Sequence, residues 1–148
     1  MRRVLPHRQL DQLPEPEIIT ELVARTSELP FVRTRQSVFA SPGTHALCLS
    51  DQIATGPRAA FIDSDEFCHI HPLPESGIHL MLPHPLREQV IRLGWGEAHP
   101  ITSSGILEAL VTLYVPRDGH EMATALYLIS QSCLFAQGKF ARENSGIR

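Results

Sequence analysis

The chain lacks paired cysteines. Cys48, Cys68 and Cys133 are odd in number, far apart and set among apolar neighbours, and no CxxC pair occurs. A thiolate zinc site is therefore not expected, and buried free thiols in a reducing compartment are. Long apolar runs are missing as well. The longest, such as "ALVTLYV", is far too short to span a bilayer, so no membrane association is expected. Met1-Arg2-Arg3 is followed by Pro6, His7, Arg8, Gln9 and Asp11 rather than an apolar core, so it is not read as a secretory signal. A cytoplasmic location is the expectation. There is no basic stripe: the net charge is −3 and the pI about 6.2, with Arg33 and Arg35 the densest pair after the N-terminus. No nucleic-acid partner is expected. Repeats and low-complexity tracts are absent too.

What is present is an ordinary globular composition, 43% hydrophobic and 20% charged. At 148 residues the chain is read as one domain over residues 15–140. A flexible arm is expected over 1–14 and a tail over 141–148. Pro14 and Pro16 introduce a helix over about 16–28, with Ile18, Ile19, Leu22 and Val23 at helical spacing. The runs 36–40 and 45–49 read as a hairpin around Ser41-Pro42-Gly43-Thr44. The runs 59–63, 66–71, 77–82 and 108–115 also read as extended. A second helix is expected over 84–93, ended by Gly94 in a left-handed conformation, and a third from Asp118, with Glu121, to Gly138. The order α-β-β-β-β-α-β-α predicts an α+β fold, an antiparallel sheet of about five strands with two to three helices packed on one face.

Within this frame "EFCHIHPLPESGIHLML", residues 66–82, puts three imidazoles into otherwise strand-like sequence. Alternation places Phe67, His69 and His71 on one face, and Gly77, His79 and Met81 on one face of the next strand. If 72–76 form the hairpin loop, His69 opposes His79 with Cβ atoms about 5 Å apart. A one-residue slip would send His79 to the other side, but the apolar set Cys68, Ile70, Ile78, Leu80 and Leu82 favours this register. Histidines on the solvent face of a sheet are the alternative.

"GWGEAHP", residues 94–100, adds Trp95 as a flat wall, Gly96 for close backbone approach, and Glu97 and His99. A helix-ending turn with a packing tryptophan accounts equally for Gly94 and Trp95. Arg117, between a strand end and a helix, is a candidate to pin an anion, or else a surface ion pair. Asp63, Asp65 and Glu66 read as a solvated acidic turn, His7, His45 and His120 as exposed and incidental, and His84 as a helix-start residue.

The blocks "EFCHIHP", "GIHLMLP", "GWGEAHP" and "LYVPRDGHEM", in this order, resemble the luciferase domain family, over about Phe39 to Gly138. That family includes the luciferases of bioluminescent fungi and many bacterial proteins. The resemblance implies oxygenation of an enolisable pyrone by molecular oxygen, without flavin or nicotinamide. By this likeness His69, His71, His79, His99 and Arg117 are catalytic candidates and Trp95 and Gly96 substrate-binding ones, with Phe67 flanking a planar substrate. Met81 and Glu97 join the substrate-binding candidates from their places beside the histidines. A histidine would take the enolic proton, as its pKa near working pH permits. The membrane-associating N-terminal segment of the fungal proteins is not found here, and soluble behaviour is expected.

Three readings remain open. One is a cofactor-independent oxygenase acting on an enolisable aromatic or polyketide-like molecule. Another is a transition-metal enzyme with His69, His71, His79 and His99 as candidate ligands and Glu97 as ligand or base; His69-x-His71 followed by Glu75 mimics a cupin spacing, although the helices fit a cupin barrel poorly. The third is a non-catalytic small-molecule-binding domain. The expected partners are a small-molecule substrate and molecular oxygen, and an exposed sheet edge makes a homodimer plausible.

Overall fold

The computed structural model describes residues 13–37 and 40–140. The N-terminal arm, but for its last two residues, and the C-terminal tail lie outside them. Among the described residues six strands form one antiparallel sheet in the order β1-β2-β3-β4-β6-β5: β1 Val32–Gln36, β2 His45–Leu49, β3 Glu66–Ile70, β4 Ile78–Met81, β5 Gly96–Ala98 and β6 Leu110–Leu113. Three helices among the described residues complete the α+β fold: α1 Pro16–Ser27, α2 His84–Arg92 and α3 Gly119–Ala136.

The helices pack on one side of the sheet because its alternating residues are apolar there. Leu47, Cys68, Leu80 and Val111 lie in one cross-strand row, and Ile70, Ile78 and Leu113 in the next. All are buried in a core shared with Leu22 of α1, Leu86 and Val90 of α2, and Met122, Leu128, Ile129 and Cys133 of α3. Each such side chain removed from water contributes roughly 1.5–3 kcal/mol. The α3 ends are as expected. The Asp118 side chain accepts from the Glu121 N–H at 2.8 Å, and Gly138 takes φ +72° beyond the last turn.

Three expectations are corrected. The first strand spans Val32–Gln36 rather than 36–40, and residues 38–39 of the expected run lie outside the described residues. The run 59–63 is a short 3-10 turn, Arg58–Ala60, followed by an isolated bridge from Asp63 to Glu66. "GWGEAHP" is not only a turn: Gly96–Ala98 pairs with β6 and becomes the sixth strand, at the sheet edge. Three residues containing a glycine carry too little alternation to announce a strand. Among the described residues no helix is long and apolar enough to cross a membrane. Cys48, Cys68 and Cys133 are buried free thiols, as expected; burial pushes the Cys48 thiol up to about 12.

Candidate functional site: a buried histidine cluster

The face opposite the helices carries a row running Arg35, Ala46, His69, His79, Thr112 and Glu97 across all six strands. His69 faces His79 across the β3–β4 pair, and the His71 N–H donates to the Gly77 carbonyl at 3.0 Å, so residues 72–76 close the hairpin in the expected register. The rings of His69, His71 and His79 stand 4.7–4.9 Å apart, centroid to centroid. His99, carried past the end of β5, adds a fourth ring 4.9 Å from His79. All four residues are at most 8% exposed. Met81 and Leu110, paired beside them and buried, line the same face. Imidazoles this deep need partners, because an unsatisfied buried polar group costs about 1–3 kcal/mol.

Those partners assign the tautomers. His69 Nδ1 lies 2.8 Å from the carboxylate of Glu66 and donates to it, which in the neutral ring leaves Nε2 as a lone pair. That lone pair faces His79 Nδ1 at 3.0 Å, and His71 Nε2 approaches the same atom at 3.4 Å. His71 Nδ1 is backed by Thr44 Oγ1 at 3.2 Å and the Glu75 carboxylate at 3.4 Å. Glu75 is itself held by the Ser41 hydroxyl at 2.6 Å. His99 differs in kind. Its Nδ1 accepts the Ile101 N–H at 3.2 Å, so in the neutral ring the proton sits on Nε2.

Glu66 is the residue that sequence reasoning missed. It is 2% exposed, and its carboxylate also accepts from Ser37 Oγ at 3.0 and 3.2 Å and from Arg35 at 3.4 Å. The cause is a β-bulge. Leu47 pairs with Cys68 but Cys48 pairs with Glu66, so Phe67 is an extra residue in β3. The insertion breaks strict alternation: Glu66 joins the histidine face, and Phe67 turns into the apolar core. Phe67 is therefore corrected from substrate contact to core residue. The available signal was the acidic run Asp63, Asp65, Glu66 ending directly against the strand.

Two more candidates move. Trp95 does not wall the histidines; it packs against the helix-side core, its ring 6.1 Å from that of His120. It lies between Gly94, at φ +82°, and the first residue of β5, where strand alternation does not yet apply. Arg117 spends its guanidinium on an exposed paired contact with Glu121, at 2.8 and 2.9 Å, while its N–H donates to the same carboxylate at 3.0 Å. Glu97 belongs to the histidine row but accepts the Tyr114 hydroxyl at 3.0 Å. Gly96 has a packing role: a Cβ there would collide with the Thr112 carbonyl oxygen. His45, expected to be exposed, is half-buried, and burial lowers its pKa.

Burial, reinforced by the neighbouring His69, holds the His71 pKa down at about 4. His71 is thus neutral when folded and titrates near 6.5 when unfolded, so between those values the unfolded chain binds more protons. Stability is full above about pH 6.5, falls as pH drops toward 4, and levels below, for a loss of at most about 3 kcal/mol. Denaturant midpoints across this window should show the slope, and His71→Asn should flatten part of it. An identical slope in the variant would refute the assignment.

An α+β sheet with helices on one face and a carboxylate-backed histidine cluster on the other defines the class: a domain with a buried polar site on its sheet. The family model described as Luciferase domain matches residues 64–132, from the turn before β3 through most of α3. The resemblance read from the sequence is thus borne out over this segment, which holds the four histidines of the cluster. No curated protein and no solved structure matches the chain.

Proposed function

We propose that the protein is a luciferase-like small-molecule enzyme, an oxygenase acting on an enolisable aromatic or polyketide-like substrate at the histidine cluster. The observation that carries this reading is the buried Glu66–His69 hydrogen bond at 2.8 Å inside a group of four rings. Such a carboxylate fixes an imidazole's tautomer and raises the basicity of its far nitrogen. Packing alone would be served by apolar residues at lower desolvation cost.

The chemistry needs no external reductant. Loss of the enolic O–H proton at the cluster leaves an enolate. Its electron pair forms a C–O bond to molecular oxygen, which is reduced to a peroxide, and the peroxide takes up a proton. Both oxygen atoms then reside on the substrate. The family match over residues 64–132 supports this class of reaction.

The test is oxygen uptake by the protein as isolated, across a panel of hydroxylated pyrones and polyphenols with their O-methyl ethers as controls. Uptake is expected with the free enols and not with the ethers. No uptake anywhere, or equal uptake with the ethers, would remove this reading.

A further inference from the structure

We infer that His69 Nε2, His71 Nε2 and His79 Nδ1 form a binding site for one divalent first-row transition-metal ion, with His99 beside the ion but outside its ligand set. The inference deepens the preceding reading and rests on it for the ion's purpose. The ion itself is measurable without any substrate.

Geometry comes first. Three ring nitrogens converge, from β3, the residue that follows it, and β4, with no two ligand atoms further apart than 4.8 Å. His79 Nδ1 lies 3.0 Å from His69 Nε2 and 3.4 Å from His71 Nε2. Ligands at metal–nitrogen distances of about 2.0–2.1 Å are separated by about 3.4 Å in a tetrahedron and about 3.0 Å at right angles. Two of the three pairs already stand at such separations, and an ion would draw the third inward. His79 would shift its proton from Nδ1 to Nε2 to free the ligating lone pair.

The outer contacts point the same way. A metal-bound histidine usually donates its other N–H to a carboxylate, carbonyl or water, which orients the ring. His69 gives its Nδ1–H to Glu66, and His71 has both Thr44 and Glu75 at its Nδ1. Two of the three ligands are thus backed by carboxylates. His99 Nδ1 is taken by the Ile101 N–H, so the nitrogen left over carries a proton and offers no lone pair. The fourfold candidate set reduces to three, which leaves coordination positions open for a substrate or water.

Charge supplies an independent argument. An enolate needs a nearby positive charge, and Arg117 is committed to Glu121. Arg35 is committed to Asp65 and Glu66, at 2.9 and 3.4 Å. The cluster has the carboxylates of Glu66 and Glu75 behind its rings, an arrangement that favours a cation. A bound ion acidifies a coordinated hydroxyl strongly enough for the proton to leave to bulk water at neutral pH.

The probe is cobalt(II) alone, added without oxygen to full-length protein stripped with chelator. Equilibrium dialysis should give one ion per chain, with a visible absorption band typical of nitrogen ligation. His69→Gln and His71→Gln should weaken binding more than about 100-fold, Glu66→Gln about 10–100-fold, and His99→Gln little. Circular dichroism confirms that each variant is folded. Folded wild-type protein that binds no cobalt, or binds it equally well in the His69 and His71 variants, would overturn the site. Loss on His99→Gln would overturn the three-ligand assignment. One bound ion without turnover of any enol removes the substrate reading and leaves the site. Enol turnover by protein that binds no ion removes the site and leaves that reading.

Discussion

Replacing Glu66 with glutamine is expected to lower oxygen uptake on a productive enol by about 10–100-fold while the protein stays folded. Glutamine fills the same volume and can still meet Ser37 and Arg35. It removes the charge that His69 Nδ1 faces at 2.8 Å, and its amide can present a donor where an acceptor is needed. The ring is then free to take the other tautomer and turn a proton, not a lone pair, toward His79. Glu66→Ala should behave differently. It leaves the His69 N–H and the Ser37 hydroxyl without an acceptor in a buried site, at a cost of about 2–4 kcal/mol. Uptake rates and denaturant midpoints of the two variants separate a chemical role from a structural one. A glutamine variant with wild-type rates would show that the carboxylate only fills space.

Gly96→Ala is expected to cost about 3 kcal/mol. The new Cβ would strike the Thr112 carbonyl oxygen and come within 3.1 Å of Leu113 Cα, both backbone atoms of the adjacent strand. Neither can yield without parting β5 from β6. His99 follows Ala98 directly, so the damage should reach the ring beside His79 as well. Gly94→Ala is the comparison. It has open space around the added carbon and only the strain of φ +82°, about 1–2 kcal/mol. Thermal or denaturant unfolding of both decides the matter. If Gly94→Ala proves the more costly, the close approach at Gly96 is not what requires glycine there. If Gly96→Ala is the more costly, strand packing accounts for the glycine without a substrate-binding role.

Much of the site was legible locally. The pairing of His69 with His79 follows from a five-residue loop and from apolar alternation in 68–82, both short-range properties. The third helix is written in Asp118 and Gly138, at its two ends. The capping pair was only half right. Glu121 reaches back to the N–H of Arg117, one residue before Asp118, and so takes Arg117 out of the site.

The sequence by itself determined where the helices run, which strand pair carries the imidazoles, and that three of them share a face, because these depend on periodicity and loop length within about twenty residues. Tertiary structure alone decided that Glu66 lies under His69, that Phe67 belongs to the core, that Trp95 packs toward α3, and that Gly96–Ala98 is a strand. A bulge becomes visible only against its partner strand, here Leu47-Cys48, and a three-residue edge strand only against Val111–Leu113. Both arise from contacts between segments distant in the chain, and local alternation carries no record of them.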